Sequence, residues 1–181
     1  MQNIFLIGYM GAGKTTIGKQ IAKRLGWPFV DMDLFIENRY HKAVPDIFAE
    51  KGEEGFRKIE QAILQEVAQF ENTVISTGGG TPCFFDNMDL MNRTGITVYL
   101  KVPVSELVRR LITGKQERPL IKDKNREELT RFITENLEKR EVWYNRAGII
   151  FSPFSQLPPF PHSSIHTITE YLIKQINEKQ L

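Results

Sequence analysis

Short apolar runs alternate along this chain with longer segments whose apolar residues recur every three or four positions. The first run covers 4–7, and the segment after it places Ile17, Ile21 and Leu25 on one helical face. Similar short runs follow at 29–31, 73–76, 96–102 and 149–151. Short apolar runs indicate buried strands, and the longer spacing indicates amphipathic helices. The alternation predicts an α/β fold with a central, mostly parallel sheet of five strands and right-handed crossovers.

The predicted helices lie between these strands, and glycine or proline marks several of their ends. After the helix that follows the first strand, they are expected at about 32–41, 45–51, 53–70, 103–113, 125–146 and 165–179. Residues 114–124 and 152–164 lack periodicity and are predicted to be loops. With no internal repeat or linker, residues 1–181 are predicted to form one three-layer domain.

Composition narrows the possible partners. The 181 residues are 41% hydrophobic and 25% charged, with a net charge of +2, which is too small to favour nucleic acid or a membrane as a partner. No apolar run approaches the roughly 20 residues that span a bilayer, and the first strand begins at once, so we expect no signal peptide. The single cysteine, Cys83, fits a reducing compartment and predicts a cytoplasmic protein.

A phosphate-binding loop occupies residues 8–15, where the sequence matches G-x-x-x-x-G-K-[ST] between the first strand and a helix. Its glycines let backbone N–H groups turn toward a polyphosphate, Lys14 can reach the β- and γ-phosphates, and Thr15 is placed to ligate Mg²⁺. The alternative is a glycine-rich turn that matches by coincidence. The residues expected to contact ATP are Gly11, Ala12, Gly13, Lys14, Thr15 and Thr16.

Two further loops follow predicted strands, and ligands of parallel α/β sheets bind beyond the carboxyl ends of the strands. Asp31 is a candidate for Mg²⁺, held through water, and Asp33 for the hydroxyl of a phosphoryl acceptor. Both carboxylates can instead be helix caps. The triplet 78–80 is all glycine and would let backbone N–H groups approach the acceptor, unless it is only a flexible turn.

Basic side chains concentrate at 109–124 and predict a mobile lid at about 112–125 that closes over anionic ligands. Arg118 is the candidate to stabilise charge on the transferred phosphoryl group. An ordinary solvated loop is the alternative.

Two further sets of polar side chains are candidates for a site. Arg57 lies on a helix whose apolar residues are predicted to pack in the core, although most such arginines only solvate a helix surface. His162 and His166 have the spacing of a metal-binding pair, but no third ligand is evident.

Taken together, these motifs resemble shikimate kinase over about residues 3–151. The resemblance is carried by the phosphate loop, Asp31-Met32-Asp33, the segment 52–60 around Phe56-Arg57, the triple glycine, Arg118-Pro119-Leu120, and Arg140 with Tyr144. It implies a P-loop kinase fold and phosphorylation of the shikimate 3-hydroxyl by ATP with Mg²⁺, in the pathway to aromatic amino acids. The implied partners are these two small molecules, and we expect a monomer.

The resemblance also implies roles for individual residues. Asp33 would hold shikimate hydroxyls, Arg57 and Arg140 would bind the carboxylate, and the amides of Gly79 and Gly80 would touch the acceptor. Further implied contacts are Arg118 as the lid arginine, Arg110 near the adenine, and a pocket wall of Phe48, Phe56, Pro119 and Leu120.

Two segments depart from the family pattern. Residues 81–85 (Thr-Pro-Cys-Phe-Phe) replace the usual small residues after the triple glycine. Residues 152–163, rich in proline and phenylalanine, replace a more polar loop that often helps to hold adenine, which leaves only Ser155 and Gln156 as candidates there.

Two other functions are compatible with the phosphate loop. The first is a kinase for gluconate or a nucleoside, which Phe56-Arg57 and Arg140 disfavour because a neutral nucleoside needs no carboxylate clamp. The second is a nucleotide-dependent switch that hydrolyses ATP slowly, for which the sequence offers no evident partner surface.

Overall fold

Five parallel strands build the centre of the molecule. The computed structural model describes residues 2–114, 124–152 and 165–179. The strands are β1 (Asn3–Ile7), β2 (Phe29–Asp31), β3 (Val74–Ser76), β4 (Gly95–Leu100) and β5 (Ile149–Phe151). They form one sheet in the order β2-β3-β1-β4-β5, with Leu6 of β1 in register with Ser76 and Val98 on either side. The predicted five-stranded sheet is confirmed, and every described pair in it is parallel.

Seven helices accompany the sheet in the described residues. They are α1 (Lys14–Leu25), α2 (Met32–Tyr40), α3 (Val44–Val67), α4 (Asn87–Thr94), α5 (Val104–Thr113), α6 (Arg126–Tyr144) and α7 (Ile165–Lys179). Helix α1 contacts α7 and the sheet, α2 packs on α3, and α5 packs on α6. Strands β1, β3 and β4 are buried along their whole length, which explains their lack of polar alternation. Within the described residues, no helix is long and apolar enough to cross a membrane.

The segment between the third and fourth strands differs from the sequence-based expectation. The pattern predicts no helix between the third and fourth strands, yet the structure has α4 and a short 3₁₀ turn at Thr81–Cys83. Helix α4 has eight residues and buries Met88 and Met91, a stripe too short to stand out in a polar segment. The helices predicted at 45–51 and 53–70 both lie within α3, and the predicted break between them is confirmed, because Gly52 has φ 66° and ψ −179° and interrupts the helical backbone.

Candidate active site

The three candidate loops meet because the strands that precede them are neighbours. The sheet order β2-β3-β1 places the ends of these strands side by side. A Cβ added to Gly79 would lie 3.5 Å from both the carbonyl oxygen of Gly8 and the backbone nitrogen of Met10. A Cβ added to Gly78 would lie 3.2 Å from Oδ1 of Asp33. The triple glycine therefore lies between the phosphate loop and the carboxylates that follow β2.

The phosphate loop has the backbone that its glycines predict. Gly8, Gly11 and Gly13 have φ values of 139°, 81° and 99°, in the region that side chains rarely adopt. Helix α1 begins directly after Gly13, so its free N–H groups and positive dipole end face the loop. The ammonium of Lys14 donates to the carbonyl oxygens of Gly8 (2.9 Å) and Tyr9 (3.1 Å) and thus reaches across the loop. The loop can bind a polyphosphate.

Asp31 links the phosphate loop to the end of β2. Its Oδ2 accepts a hydrogen bond of 2.7 Å from the Thr15 hydroxyl, and its Oδ1 accepts one of 3.2 Å from the backbone N–H of Asp33. The second bond caps helix α2. Asp31 therefore is a helix cap, as the alternative interpretation predicts, and it also contacts the end of the phosphate loop. Asp33 is not a helix cap.

The Asp33 carboxylate projects into the cleft, where it retains solvent access although protein groups surround it. Loss of hydration raises its pKa to about 6, and the negative charges of Asp31, Glu60 and Glu37 act in the same direction. The charge of nearby Lys14 opposes this shift. A carboxylate with a pKa close to neutral is a suitable proton acceptor for an alcohol.

Arg57 lies against the triple glycine and is not a surface residue. It is 8% exposed, and a Cβ added to Gly80 would lie 2.6 Å from its Nη1, so only glycine allows this approach. Nη1 donates to Oε2 of the buried Glu60 at 2.9 Å. The rings of Phe48 and Phe56 are 4.6 Å apart and also lie near the Arg57 guanidinium, and their role as a pocket wall stays a prediction. The interpretation of Arg57 as a solvated surface arginine is wrong.

Arg140, on α6, reaches the triple glycine from another direction. Its Nη1 would lie 3.5 Å from a Cβ on Gly79, and its guanidinium carbon lies 5.3 Å from the ring centroid of Tyr9. One helical turn later, the Tyr144 hydroxyl donates to the Gly79 carbonyl oxygen. Two arginines that are distant in sequence thus flank the same glycine turn.

Arg110 contacts the outer side of the phosphate loop. Its Nη1 donates to the carbonyl oxygens of Gly11 and Ala12, each at 3.2 Å, and its Nε donates to Glu106 at 2.7 Å. These bonds place the side chain beside the nucleotide-binding loop. Its contact with adenine stays a prediction.

Comparison with known proteins identifies the family. The shikimate kinase family model matches residues 10–177. A shikimate kinase of Parabacteroides distasonis is 55% identical over 174 residues, which cover 96% of this chain and 99% of the relative. The chain belongs to the shikimate kinase family.

Solved structures of shikimate kinases agree with this assignment. That of the Bacteroides thetaiotaomicron enzyme superposes with a TM-score of 0.85 at 51% identity, covering 94% of this chain and 98% of the other. That of the Acinetobacter baumannii shikimate kinase, in complex with shikimate, gives a TM-score of 0.85 at 32% identity and covers 100% and 96%. The predicted P-loop kinase fold is confirmed.

Most of the site residues expected of a shikimate kinase come together in the structure. The cleft gathers Lys14, Thr15, Asp31, Asp33, Arg57, Gly79, Gly80 and Arg140 around the ends of β1, β2 and β3. Arg118, Pro119, Leu120, Ser155, Gln156 and His162 lie outside the described residues. Among the residues that are described, no group of three or more His, Cys, Asp or Glu side chains is placed to hold a metal.

Sequence reasoning missed several residues of this shikimate kinase site. Glu60 is buried between Arg57 and the Thr81 hydroxyl, and its spacing of three residues from Arg57 on one helix was the available signal. Phe84 lies 4.2 Å from the Arg57 guanidinium carbon, within the segment already noted as atypical. Burial raises the pKa of the neighbouring Cys83 thiol to about 11, which disfavours the reactive thiolate.

Proposed function

We propose that this protein transfers the γ-phosphoryl group of ATP to the 3-hydroxyl of shikimate, in the pathway to aromatic amino acids. One observation carries the proposal: Asp33, Arg57 and Arg140 surround a single glycine turn directly beside the phosphate loop. An acceptor held there meets a carboxylate at one end and guanidinium groups at the other. Shikimate, which has a ring hydroxyl and a carboxylate, fits this charge pattern.

Each group at the acceptor end has a separate role in the proposal. Arg57 and Arg140 bind the shikimate carboxylate, since guanidinium groups pair with carboxylates in a bidentate manner. The amides of Gly79 and Gly80 contact the acceptor. Asp33 orients the reacting hydroxyl and accepts its proton, because its raised pKa makes it a better base than an ordinary aspartate.

Transfer proceeds in line from the γ-phosphate to the oriented hydroxyl. Lys14 and the backbone N–H groups of the phosphate loop stabilise the charge that develops on the phosphoryl oxygens. Arg118 is the proposed lid residue that adds a positive charge from the open side. Most of the rate then derives from alignment and charge stabilisation rather than from covalent chemistry.

The oxygen atoms of Thr15 and Asp31 fit Mg²⁺. They are hard ligands, and their hydrogen bond of 2.7 Å shows that they share one location at the nucleotide side. Mg²⁺ typically binds through one or two such groups together with water and substrate phosphates. We propose that Thr15 ligates it and that Asp31 holds it through water. Bound Mg²⁺ would neutralise charge on the β- and γ-phosphates.

The structure disfavours a nucleoside kinase and a nucleotide-dependent switch. The buried Arg57 and the half-buried Arg140 at the acceptor end would find no opposite charge on a neutral nucleoside. A switch that only hydrolyses ATP needs no acceptor cleft. We also propose a single domain over residues 1–181 and a cytoplasmic monomer, with ATP and shikimate as its ligands and neither nucleic acid nor a membrane as a partner.

Replacing Arg57 or Arg140 with lysine tests the carboxylate clamp. Lysine keeps the charge but loses bidentate geometry, so the KM for shikimate is expected to rise roughly ten- to a hundredfold while the KM for ATP stays unchanged. Steady-state kinetics with each substrate varied separately gives both constants. The matched control is Arg39→Lys, because Arg39 is half exposed and pairs with Glu66 on the surface.

The shikimate methyl ester supplies the complementary measurement, since it removes the negative charge from the ligand. Wild-type enzyme with the ester should resemble the lysine variants with shikimate, and those variants should lose little more. Equal turnover of the ester and the acid by the wild-type enzyme would contradict the clamp.

A further inference from the structure

Arg57 has an unusual set of neighbours for a buried cation. Its guanidinium carbon lies 4.2 Å from the ring centroid of Phe84, 5.5 Å from that of Phe56 and 5.7 Å from that of Phe48. Nη1 and Nη2 donate to Glu60 (2.9 Å) and Glu53 (3.3 Å). The third donor atom, Nε, is buried and has no partner within the described structure.

Among the described aromatic rings near this cation, that of Phe84 lies nearest. A ring attracts a cation to its negatively polarised face, and at 4.2 Å Phe84 is well inside the range of about 6 Å over which this attraction acts. A guanidinium group covered by a ring on one face keeps its hydrogen-bond donors at its edge. Nη1 and Nη2 are paired with carboxylates and lie against Gly80, so the ring and the carboxylates together fix the guanidinium beside the glycine turn.

A short turn fixes Phe84 relative to the rest of the acceptor end. The 3₁₀ turn Thr81–Cys83 begins at Gly80, which is in contact with Arg57, and Phe84 follows it in extended conformation. The Thr81 hydroxyl donates to Glu60, the carboxylate that holds Nη1. The backbone N–H of Cys83 bonds to the carbonyl oxygen of Gly80 at 2.9 Å. Phe84 and the Arg57–Glu60 pair are thus connected through one turn.

We propose that Phe84 is a positioning residue for the acceptor carboxylate: its ring holds the Arg57 guanidinium against the glycine turn where the ligand binds. This inference rests on the proposed function, because it takes the carboxylate of shikimate as the ligand of Arg57. Phe84 determines how tightly, and how selectively, the site binds a carboxylate over its ester.

The first test replaces Phe84 with leucine, which keeps an apolar side chain and removes the ring. The dissociation constant and the KM for shikimate are expected to rise about three- to tenfold, with kcat and the KM for ATP within about twofold of wild type. The methyl ester should show no such increase. The matched control is Phe85→Leu, since the adjacent Phe85 is 47% exposed.

The second test changes the ring electronically and keeps its shape. Incorporating mono-, di- and trifluorophenylalanine at position 84 weakens the attraction of the ring for a cation stepwise. The logarithm of the shikimate KM should rise with each fluorine, whereas the KM of the ester should stay constant. Phe84→Tyr, which retains the ring, should behave like the wild-type enzyme. This series keeps the proposal testable if the leucine variant does not fold.

Two results would overturn the inference. An equal rise of KM for shikimate and its ester would show that Phe84 only packs, and a KM independent of fluorination would show that the ring does not act through Arg57. If wild-type enzyme phosphorylates shikimate and either result is found, only the role of Phe84 fails. If wild-type enzyme does not phosphorylate shikimate at all, the proposed function fails and this inference with it.

Discussion

Asp33→Asn is expected to lower kcat by about a thousandfold, the middle of the range for loss of a general base. Asparagine has nearly the same shape but cannot accept the proton of the shikimate hydroxyl, and it aligns that hydroxyl less well. The KM for ATP should change little, because the nucleotide contacts are made by the phosphate loop. Single-turnover measurements with saturating shikimate and ATP would isolate the chemical step.

Asp46→Asn is the matched control, since Asp46 is an exposed carboxylate in the first turn of α3. It should leave kcat unchanged. A near-normal kcat for Asp33→Asn, in a variant with wild-type circular dichroism, would remove Asp33 from the chemical step.

The same substitution should stabilise the protein at neutral pH. Because burial and neighbouring carboxylates raise the pKa of Asp33 from 3.8 to about 6, the folded state binds its proton more tightly than the unfolded state does. The stability of the wild-type protein therefore falls as the pH rises from about 4 to about 6. Asparagine carries no charge to desolvate and avoids this loss.

Thermal unfolding without nucleotide or metal would measure this effect. The asparagine variant should melt at a higher temperature than the wild type at pH 7, and the gap should close as the pH is lowered toward 4. A gap that is independent of pH would show that the carboxylate of Asp33 is not destabilised by its surroundings.

Lys14→Ala is the second substitution with a large expected effect, a loss of about 10²–10³ in turnover. Lys14 spans the phosphate loop from the start of α1, so alanine removes a positive charge from the point where the phosphates bind. Coupled measurement of ADP release, with shikimate and ATP both saturating, would record the loss.

Lys19→Ala is the control for this substitution, because Lys19 lies on the same helix and is exposed. It should retain full turnover. Turnover close to wild type in a folded Lys14→Ala variant would contradict the assignment of the nucleotide site.

Local patterns predicted the parts of the structure that depend on local forces. Strands β1, β3 and β4 were recognisable because burial on both faces demands continuous apolar runs. The phosphate loop was recognisable because its glycines and Lys14-Thr15 have a fixed spacing. Convergence of the three loops followed from the rule that ligands bind at the carboxyl ends of parallel strands. Helix α4 was missed because its two buried methionines are too few to reveal a helical spacing.

The burial and contacts of individual side chains could not be predicted from these local patterns. The burial of Arg57 depends in part on Gly80 and Phe84, which are distant in sequence, so its exposure was mispredicted without the resemblance to a family. The double contact of Asp31, with Thr15 and with the start of α2, likewise needs the folded sheet. The role of Arg118, outside the described residues, stays a prediction.

The most direct test of the central claim is ADP release by the wild-type enzyme with a panel of acceptors: shikimate, quinate, gluconate and nucleosides. Phosphorus NMR of the product would locate the new phosphoryl group. We predict that shikimate alone raises ADP release far above the basal rate and that the phosphoryl group is attached to its 3-oxygen. Equal or greater stimulation by gluconate or a nucleoside, or no stimulation by any acceptor, would contradict the account.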